Sequence, residues 1–435
     1  MSQAMFGRLA DMERQVEQLQ KSQGSGIPSG TTTVEQTSQT DAVTQLNPPT
    51  NSGRETANES SVHAVGACSL LSPEGAKKVD YIIGDSRFSN LIQGVLRQIR
   101  QRPGRPTLQV FDAVEHHFPP NNIAMDLVDD FLASQNHALG VFRAAEVREV
   151  LQQHIYGEPT TRVGASMCLN VIVAHSIRKR DKMQVAWDYE KYIFNALRYL
   201  PSALIEQPDP LTIGSLISLV RYFIFTGDNH IAVSLLGLTV QLVLLAGYHL
   251  KDNLSDLNAA DMLHRRRLFW HAYIIDRDLM LRIGKPPIIS EEFLVDLPDA
   301  QPLDGYSIFY YPGNVHVNYF RQQAELAEIQ GRIWRRIYSR VDNESFSRSQ
   351  LEAEIISLDT ELQSWRKKLP DITQSIAEAV PSSSAGNKMK ILTVLHFAYF
   401  QTVVAVGFTG GETGGETEFR SSITNNSKLV LIDGS

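Results

Sequence analysis

The sequence predicts an all-α protein: a large body of many packed helices between an irregular start and an irregular end. Three features point there. From Ala67 to about residue 405, apolar residues recur at steps of three and four, the spacing that lines one face of a helix. Glycine, proline and small polar residues break that pattern at intervals, as helix starts and stops require. Extended period-two alternation, the mark of half-buried strands, is nearly absent. The best strand candidate is the short apolar run Leu429 to Ile432 near the end.

The chain has 435 residues, 43% apolar and 20% charged, long enough to bury a core without metal or disulfide support. Its two cysteines, Cys68 and Cys168, are too few for a disulfide framework or a zinc module and fit a reducing compartment. The start, MSQAMFGRLADMERQ, has no basic region followed by an apolar run, so it does not read as a secretory signal. The formal net charge of −7 makes direct DNA binding doubtful unless the cations are segregated. Four short basic clusters exist, at Arg178 to Lys182, His264 to Arg267, Arg332 to Arg336 and Arg366 to Lys368. Each lies beside helical apolar positions and reads first as a solvated face or helix end. RKRDK at Arg178 also fits the pattern of a nuclear import signal.

Taken in order, residues 1–22 hold a short heptad helix. Met5, Leu9, Met12, Val16 and Leu19 form a seam for pairing with a second copy or a different partner. About two heptads are marginal alone. Residues 23–66 turn to Ser, Thr, Gln, Asn, Gly and Pro, a linker too poor in apolar groups to offset its ordering entropy. The body spans 67–405, and 406–435 is a divergent tail expected to be disordered. Ser72-Pro73-Glu74 offers a helix cap, a first-turn proline and a first-turn acid. Helical spacing from Val110 to Gln153 is broken by Pro119-Pro120, and further helices are expected from Val163 to Arg178 and from Val185 to Leu200, the latter stopped by Pro201.

Leu211 to Phe225 and Ile231 to Leu250 flank the turn signal Gly227-Asp228-Asn229 and should be antiparallel neighbours. The second is uncharged for twenty residues, enough to cross a bilayer. Ser234, Thr239, Gln241 and His249 interrupt it and no aromatic-and-basic flanks mark interfaces. It therefore reads as a helix buried on all sides, packed closed against its neighbour or with an apolar cavity between them. Leu326, Ile329, Ile333 and Ile337 mark a later amphipathic helix. Leu351, Ile355, Leu358, Leu362, Trp365 and Leu369 mark a stronger one, ended by Pro370.

The densest pattern is Asp261 to Pro298, DMLHRRRLFWHAYIIDRDLMLRIGKPPIISEEFLVDLP. Leu268 to Ile275 is apolar all round except His271, so this part of the helix belongs at the centre of the body. Asp278 and Arg282 stand four apart in the favourable order. Asp276 and Arg277 lie too near the buried turns to be plain surface charges, and if buried they need partners. Gly284 supplies a left-handed cap, Pro286-Pro287 forbid continuation, and Ser290-Glu291-Glu292 restart a short helix.

This segment resembles the fungal transcription factor regulatory domain, the middle homology region of zinc-cluster transcription factors. There an "RR-x-FW…YxxDR" helix precedes a "GRPP-I-S" turn and an acidic "LP" strap. The matching residues are Arg266, Arg267, Phe269, Trp270, Tyr273, Asp276, Arg277, Gly284, Lys285, Pro286, Pro287, Ile288, Ser290, Leu297 and Pro298. Lys285 stands where arginine is usual, keeping charge but not the planar fork. LSPEGAKKVDYIIGDSRF at Leu71, LLAGYHL at Leu244 and ELQSWRKKLP at Glu361 are similar to other parts of that domain in the same order. The resemblance covers roughly residues 67 to 405. It implies a non-enzymatic nuclear regulator of transcription whose body receives an input by intramolecular contact, co-regulator or small effector. DNA would be a partner through a six-cysteine zinc cluster. This chain has no such cluster and so no expected cofactor of its own; zinc would belong only to the missing module. LHFAYFQTVVAV at Leu395 begins like the family's next helix, but the Gly- and Thr-rich run after it does not continue it. An incomplete or misjoined reading of a longer gene is expected at both ends.

Two other classes compete. Gly84-Asp85-Ser86 and Asp261-Met262-Leu263-His264 are similar to GDSL-type esterase blocks, which need a strand-to-helix context that the pattern lacks. A helical scaffold built of stacked repeats would show a sequence period, and none is visible. His116-His117 lacks a third ligand at useful spacing. Gly410-Gly411 and Gly414-Gly415 lack the Lys-Ser/Thr of a phosphate loop.

Overall fold

In the computed structural model, Pro119 and Pro120 hold the chain extended ahead of helix α1, Asn121–Phe131. The structure describes residues 80, 86, 89, 90, 93, 117–157, 162–180, 189–250, 258–291, 296–311, 315–339, 347–370 and 383–408. These fall within one unit, Val62–Glu412. The heptad seam Met5 to Leu19, the linker, Ser72-Pro73-Glu74 and the Leu429 to Ile432 run lie outside the described residues.

The first helices form as their spacing requires. After α1 the chain passes through a π-helical turn, Leu132–Asn136, and one more α-helical turn that stops at Gly140 with φ 63°. The Asn136 side chain ties this bend off, donating to the Phe142 carbonyl (2.7 Å) and accepting the Phe142 N–H (2.9 Å). Helix α2, Ala144–Ile155, buries Val147, Val150 and Leu151. Helix α3, Val163–Arg180, is buried without a break from Met167 to Ile177. Helix α4 is Glu190–Arg198. Pro201 was expected to stop helical structure; instead it sits in the first turn of a short helix α5, Leu200–Ile205. A first-turn proline has no partner to lose, so it starts a helix as readily as it ends one.

Helix α6, Pro210–Thr226, begins on Asp209, whose carboxylate accepts the Thr212 N–H (2.7 Å), and ends on Gly227 with φ 84°. Only two residues separate it from helix α7, Asn229–Leu245, and the pair packs side by side. The prediction that the second of these is enclosed on every side is corrected. Ala232, Leu235, Leu236, Thr239, Val240, Leu242 and Val243 are buried, but Ser234, Gln241 and Leu245 are exposed. It is α6 that is buried without interruption from Leu211 to Val220. No helix among the described residues is long and apolar enough to cross a membrane.

Helix α8, Ala259–Ile283, carries the motif and packs on α6 and α7. A hairpin that the sequence pattern did not indicate follows: β1, Ile308–Tyr311, antiparallel to β2, Val315–Asn318, with Phe309 opposite Val317. Asn318 caps helix α9, Tyr319–Ile333, which continues as a π-helical turn, Trp334–Tyr338. Helix α10, Arg348–Arg366, starts with a full Ser347/Gln350 capping box and buries Ile355, Leu358, Leu362 and Trp365. The last helix, α11, is Ser383–Phe408. α3 and α6 stand at the centre of the first seven helices, and α9 joins α8 to α10 and α11. The all-α reading holds, with one small hairpin added.

Candidate functional site

The expected central burial of α8 is observed. His264, every residue from Arg267 to Arg277, and Leu279 to Leu281 are buried. A helix enclosed on all faces must satisfy each of its polar side chains internally, and those side chains define the site.

One stripe of α8 grips the bend at residues 139–141. His264, Arg267 and His271 are three and four apart and so share a face. His264 Nε2 donates to the Val141 carbonyl (2.9 Å) and His271 Nε2 to the Leu139 carbonyl (2.7 Å). His271 Nδ1 then accepts from Arg221 Nη2 of α6 (3.0 Å). Between the two histidines, Arg267 makes a paired contact with Asp304, Nη1 to Oδ2 at 2.8 Å and Nη2 to Oδ1 at 2.9 Å. Its guanidinium also lies 5.4 Å from the centre of the Tyr306 ring. Gly140 makes room for it: a Cβ there would stand 2.8 Å from Arg267 Cδ.

The other contacts of α8 hold the segment that follows it. Gly284 takes φ 66° and closes the helix, with the Lys285 N–H returning to the Met280 carbonyl (3.0 Å). Asp276, fully buried, accepts the Ile288 N–H (2.8 Å) on Oδ1, and the Ile289 N–H (3.1 Å) and Arg277 Nη1 (2.6 Å) on Oδ2. Arg277 Nη2 donates to the Ile289 carbonyl (2.8 Å), and the guanidinium rests 4.3 Å from the Tyr273 ring centre. Burial pushes the Asp276 carboxyl above its ordinary range; Arg277 and the two amides oppose the rise. Trp270 Nε1 donates to the Asp296 carbonyl (3.1 Å), and Trp270 packs edge-on against Tyr273 and Phe269. Arg282 pairs with Asp278 as its spacing predicts. Pro286 and Lys285 are exposed, Pro287 and Arg266 half-buried. The prolines thus shape a strap whose main chain, not its side chains, is what Asp276 and Arg277 hold.

Residues 167–367 match the model of the fungal specific transcription factor domain. This stretch is a fungal specific transcription factor domain. Its bounds run from within α3 to the residue after α10, so the domain holds α8, its strap and the hairpin. Among curated relatives, the ABC-transporter-regulating transcription factor of Aspergillus fumigatus is 25% identical over 352 residues, 78% of this chain and 39% of that protein. The protein of the same description from Aspergillus oryzae is also 25% identical, with the same shares. The Fusaridione A cluster transcription factor of Fusarium heterosporum is 26% identical over 50% of this chain and 42% of its own. The chain spans about two fifths of the length of these relatives. No solved structure matches.

Most described cations of the basic clusters are tied to carboxylates of the same chain. Lys179 meets Asp130 (2.7 Å), Arg180 meets Asp126 (2.6 Å), and Arg332 meets Glu361 (2.8 Å). Arg336 lies near Glu354 and Glu361 (3.6 and 3.3 Å), Arg335 pairs with Glu291, and Lys368 meets Glu325 (2.8 Å). Arg178 lies over the Phe225 ring at 4.2 Å. The esterase blocks are not assembled into a base: His264 is committed to Val141, and Asp261 to Asn258 and Arg143. Of the proposed nucleophile block only Ser86 is described, at an exposed bend. His117 is exposed, and no metal-binding group of His, Cys, Asp or Glu exists among the described residues. Cys168 is buried, and burial pushes its thiol well up, so it is chemically quiet. Glu291 forms the only described turn of the expected short helix at Ser290, and residues 292–295 lie outside the described set.

Of the residues that the sequence singles out, Arg267, Trp270, Tyr273, Asp276, Arg277 and Gly284 take part in the contacts of α8 described above. Sequence reasoning missed Asp304, Arg221 and Gly140, which complete the Arg267 and His271 contacts from other elements. The glycine can be tested alone. Gly140→Ala is expected to cost about 1–3 kcal/mol, from a left-handed alanine and a displaced Arg267. The urea midpoint of the variant reads this, and a midpoint equal to the parent's would remove Gly140 from the Arg267 site.

Proposed function

We propose that this chain carries the regulatory body of a zinc-cluster type transcription factor acting in the nucleus, not an enzyme. The observation that supports it best is the enclosed α8 with its Asp276–Arg277 grip on the strap, lying inside a fungal specific transcription factor domain. The relatives' descriptions as transcription factors point the same way. Direct DNA reading is assigned to a cysteine cluster outside these residues, because counterion release needs unpaired cations and the described basic clusters mostly face carboxylates of their own fold. Pairing with a cluster-bearing partner is assigned to Met5, Leu9, Met12, Val16 and Leu19.

The test is to tether the full chain to an unrelated DNA-binding module upstream of a reporter gene. Reporter output should change relative to the module alone, and Asp276→Ala should abolish that change. An unchanged output from a nuclear, folded fusion overturns the regulatory role. Retention on duplex DNA titrated with salt is the companion measurement. Tight, sequence-dependent binding by the chain alone overturns the division of labour proposed here. Hydrolysis of a short nitrophenyl ester that is lost in Ser86→Ala would instead establish an esterase.

A further inference from the structure

Helix α11 is fixed to the body along one face. Leu392, Leu395, Ala405 and Val406 are buried, and the Tyr399 ring stacks on Trp365 of α10 with centres 6.2 Å apart. The Tyr338 hydroxyl donates to the Ala405 carbonyl (2.6 Å), and Gln330 Nε2 donates to the Thr402 hydroxyl (3.1 Å). These contacts set the rotation of the helix, so the face it turns outward is part of the fold.

That outward face is apolar where a surface helix is ordinarily charged. Val394, Phe397 and Phe400 are 47%, 67% and 49% exposed, and Gln401 and Val404 are half-buried beside them. Steps of three and four put all five on one stripe. Single exposed apolar side chains are ordinary on a protein surface. Three large ones within two turns form a contiguous patch, and such patches mark contact surfaces. No Asp, Glu, Lys or Arg occurs from Ile391 to Phe408, so the stripe offers no charge that would select a partner of opposite sign.

The two ends of the stripe complement each other. Lys390 is exposed and stands one turn ahead of Val394 on the same line. At the far end, α11 has no basic residue in its last turn to meet the partial negative charge of the final carbonyls. The lysine is thus the cation that the far end lacks, too distant to reach it within one helix. An antiparallel second copy brings each lysine to the other's far end, whereas a parallel copy would set lysine against lysine. A patch that fits itself in this way is what a two-fold interface requires.

We propose that the outward stripe of α11 is a self-association surface on which a second copy of this chain packs antiparallel, Phe397 of each copy lying against Phe400 of the partner subunit. At ~200 Å² for a whole phenylalanine side chain, the two rings expose ~230 Å² per copy. With Lys390, Val394 and the half-buried positions the stripe reaches ~500 Å² per copy, or ~1,000 Å² across the pair, the lower limit for a specific interface. An interface of that size gives a reversible dimer at roughly micromolar concentrations. The surface is separate from the Met5 to Leu19 seam assigned above to a cluster-bearing partner. It does not rest on the transcriptional reading, and its test uses no DNA and no reporter.

Sedimentation velocity of the full chain from ~1 to ~100 μM should show a monomer passing to a dimer and to nothing larger, as a closed two-fold contact requires. Phe397→Glu, at a position exposed enough for the fold to tolerate it, should weaken association roughly tenfold or more, because pairing would bury an unmatched charge. Leu9→Lys should leave association in place. A mixture of Phe397→Glu and Phe400→Lys chains should associate more tightly than either variant alone, since antiparallel packing sets the new carboxylate beside the new ammonium. A monomer at every concentration, association lost in Leu9→Lys but kept in Phe397→Glu, or a mixture no tighter than its components overturns the proposal.

Discussion

Asp276→Ala is expected to destabilise the helical body by ~3–5 kcal/mol, the usual cost of leaving one member of a buried ion pair alone. The substitution removes the acceptor for three donors at once: the N–H groups of Ile288 and Ile289 and Nη1 of Arg277. Arg277 cannot turn to water, because the side chains of Asp276 and Arg277 are 0% and 1% exposed. Arg277 cannot shed its charge either, since guanidinium stays protonated. Gly331 bounds the space into which it could move, with a Cβ there only 3.1 Å from its Nε. The strap from Gly284 to Ile289 should loosen first, as its main chain loses the carboxylate that gathers it. Urea unfolding of the full chain measures the loss. The double variant Asp276→Leu/Arg277→Met should recover a large part of it, because an apolar pair carries no desolvation debt. A single variant within ~1 kcal/mol of the parent, no more than a typical surface substitution, would show that the pair does not hold the strap.

That result bears on what a reader of the sequence alone can see. Helical spacing marked α6, α7, α9 and α10, because each repeats its apolar residues over several turns and each ends on a legible signal: Gly227, Pro370 or a change of composition. The burial of Asp276 and Arg277 could be anticipated from their place beside Ile274 and Ile275, and their need for partners followed. Their main-chain partners at Ile288 and Ile289 lie only a turn of chain away. Asp304 is different. It is 37 residues from Arg267, in a stretch with no periodicity, and nothing local assigns it to that arginine. The hairpin was missed for a related reason. Strands of four residues, IFYY and VHVN, show at most two alternations, too few to separate a strand from a loop. The error over α7 has its own cause. An uncharged twenty-residue run reads as enclosed, yet exposed Ser234, Gln241 and Leu245 show that freedom from charge is not burial. The basic clusters show the same principle with the opposite sign: clustered cations need not be free ones. Arg332, Arg336 and Glu361 come together only when α9 and α10 pack.

Acidification should weaken the fold between pH 6.5 and 5, with buried His175 and His264 each contributing ~1.5 kcal/mol and buried His271 acting in the same direction. His175 is pushed down to about 3, first by burial and then by Arg178, with Arg221 adding to the effect and the Ser218 carbonyl opposing it. His264 is pushed down to about 4, again chiefly by burial, and His271 lies well below its ordinary value through burial and the neighbouring Arg221. All three are neutral in the fold and gain a proton near 6.5 on unfolding, so the unfolded chain binds more protons throughout this window. Their stabilising contribution is therefore complete above the unfolded value and is lost as pH falls toward the folded ones. Asp276 has the opposite sign, since its carboxyl is raised, but one group does not offset three. Urea midpoints from pH 7.5 to 5 provide the measurement. His264→Gln keeps an N–H for the Val141 carbonyl while removing one titrating site, so it should reduce the slope by the ~1.5 kcal/mol that this histidine contributes over the window. A midpoint that stays level across this range would mean that these imidazoles are protonated inside the fold, and the contacts drawn from α8 to residues 139–141 would then have to be redrawn.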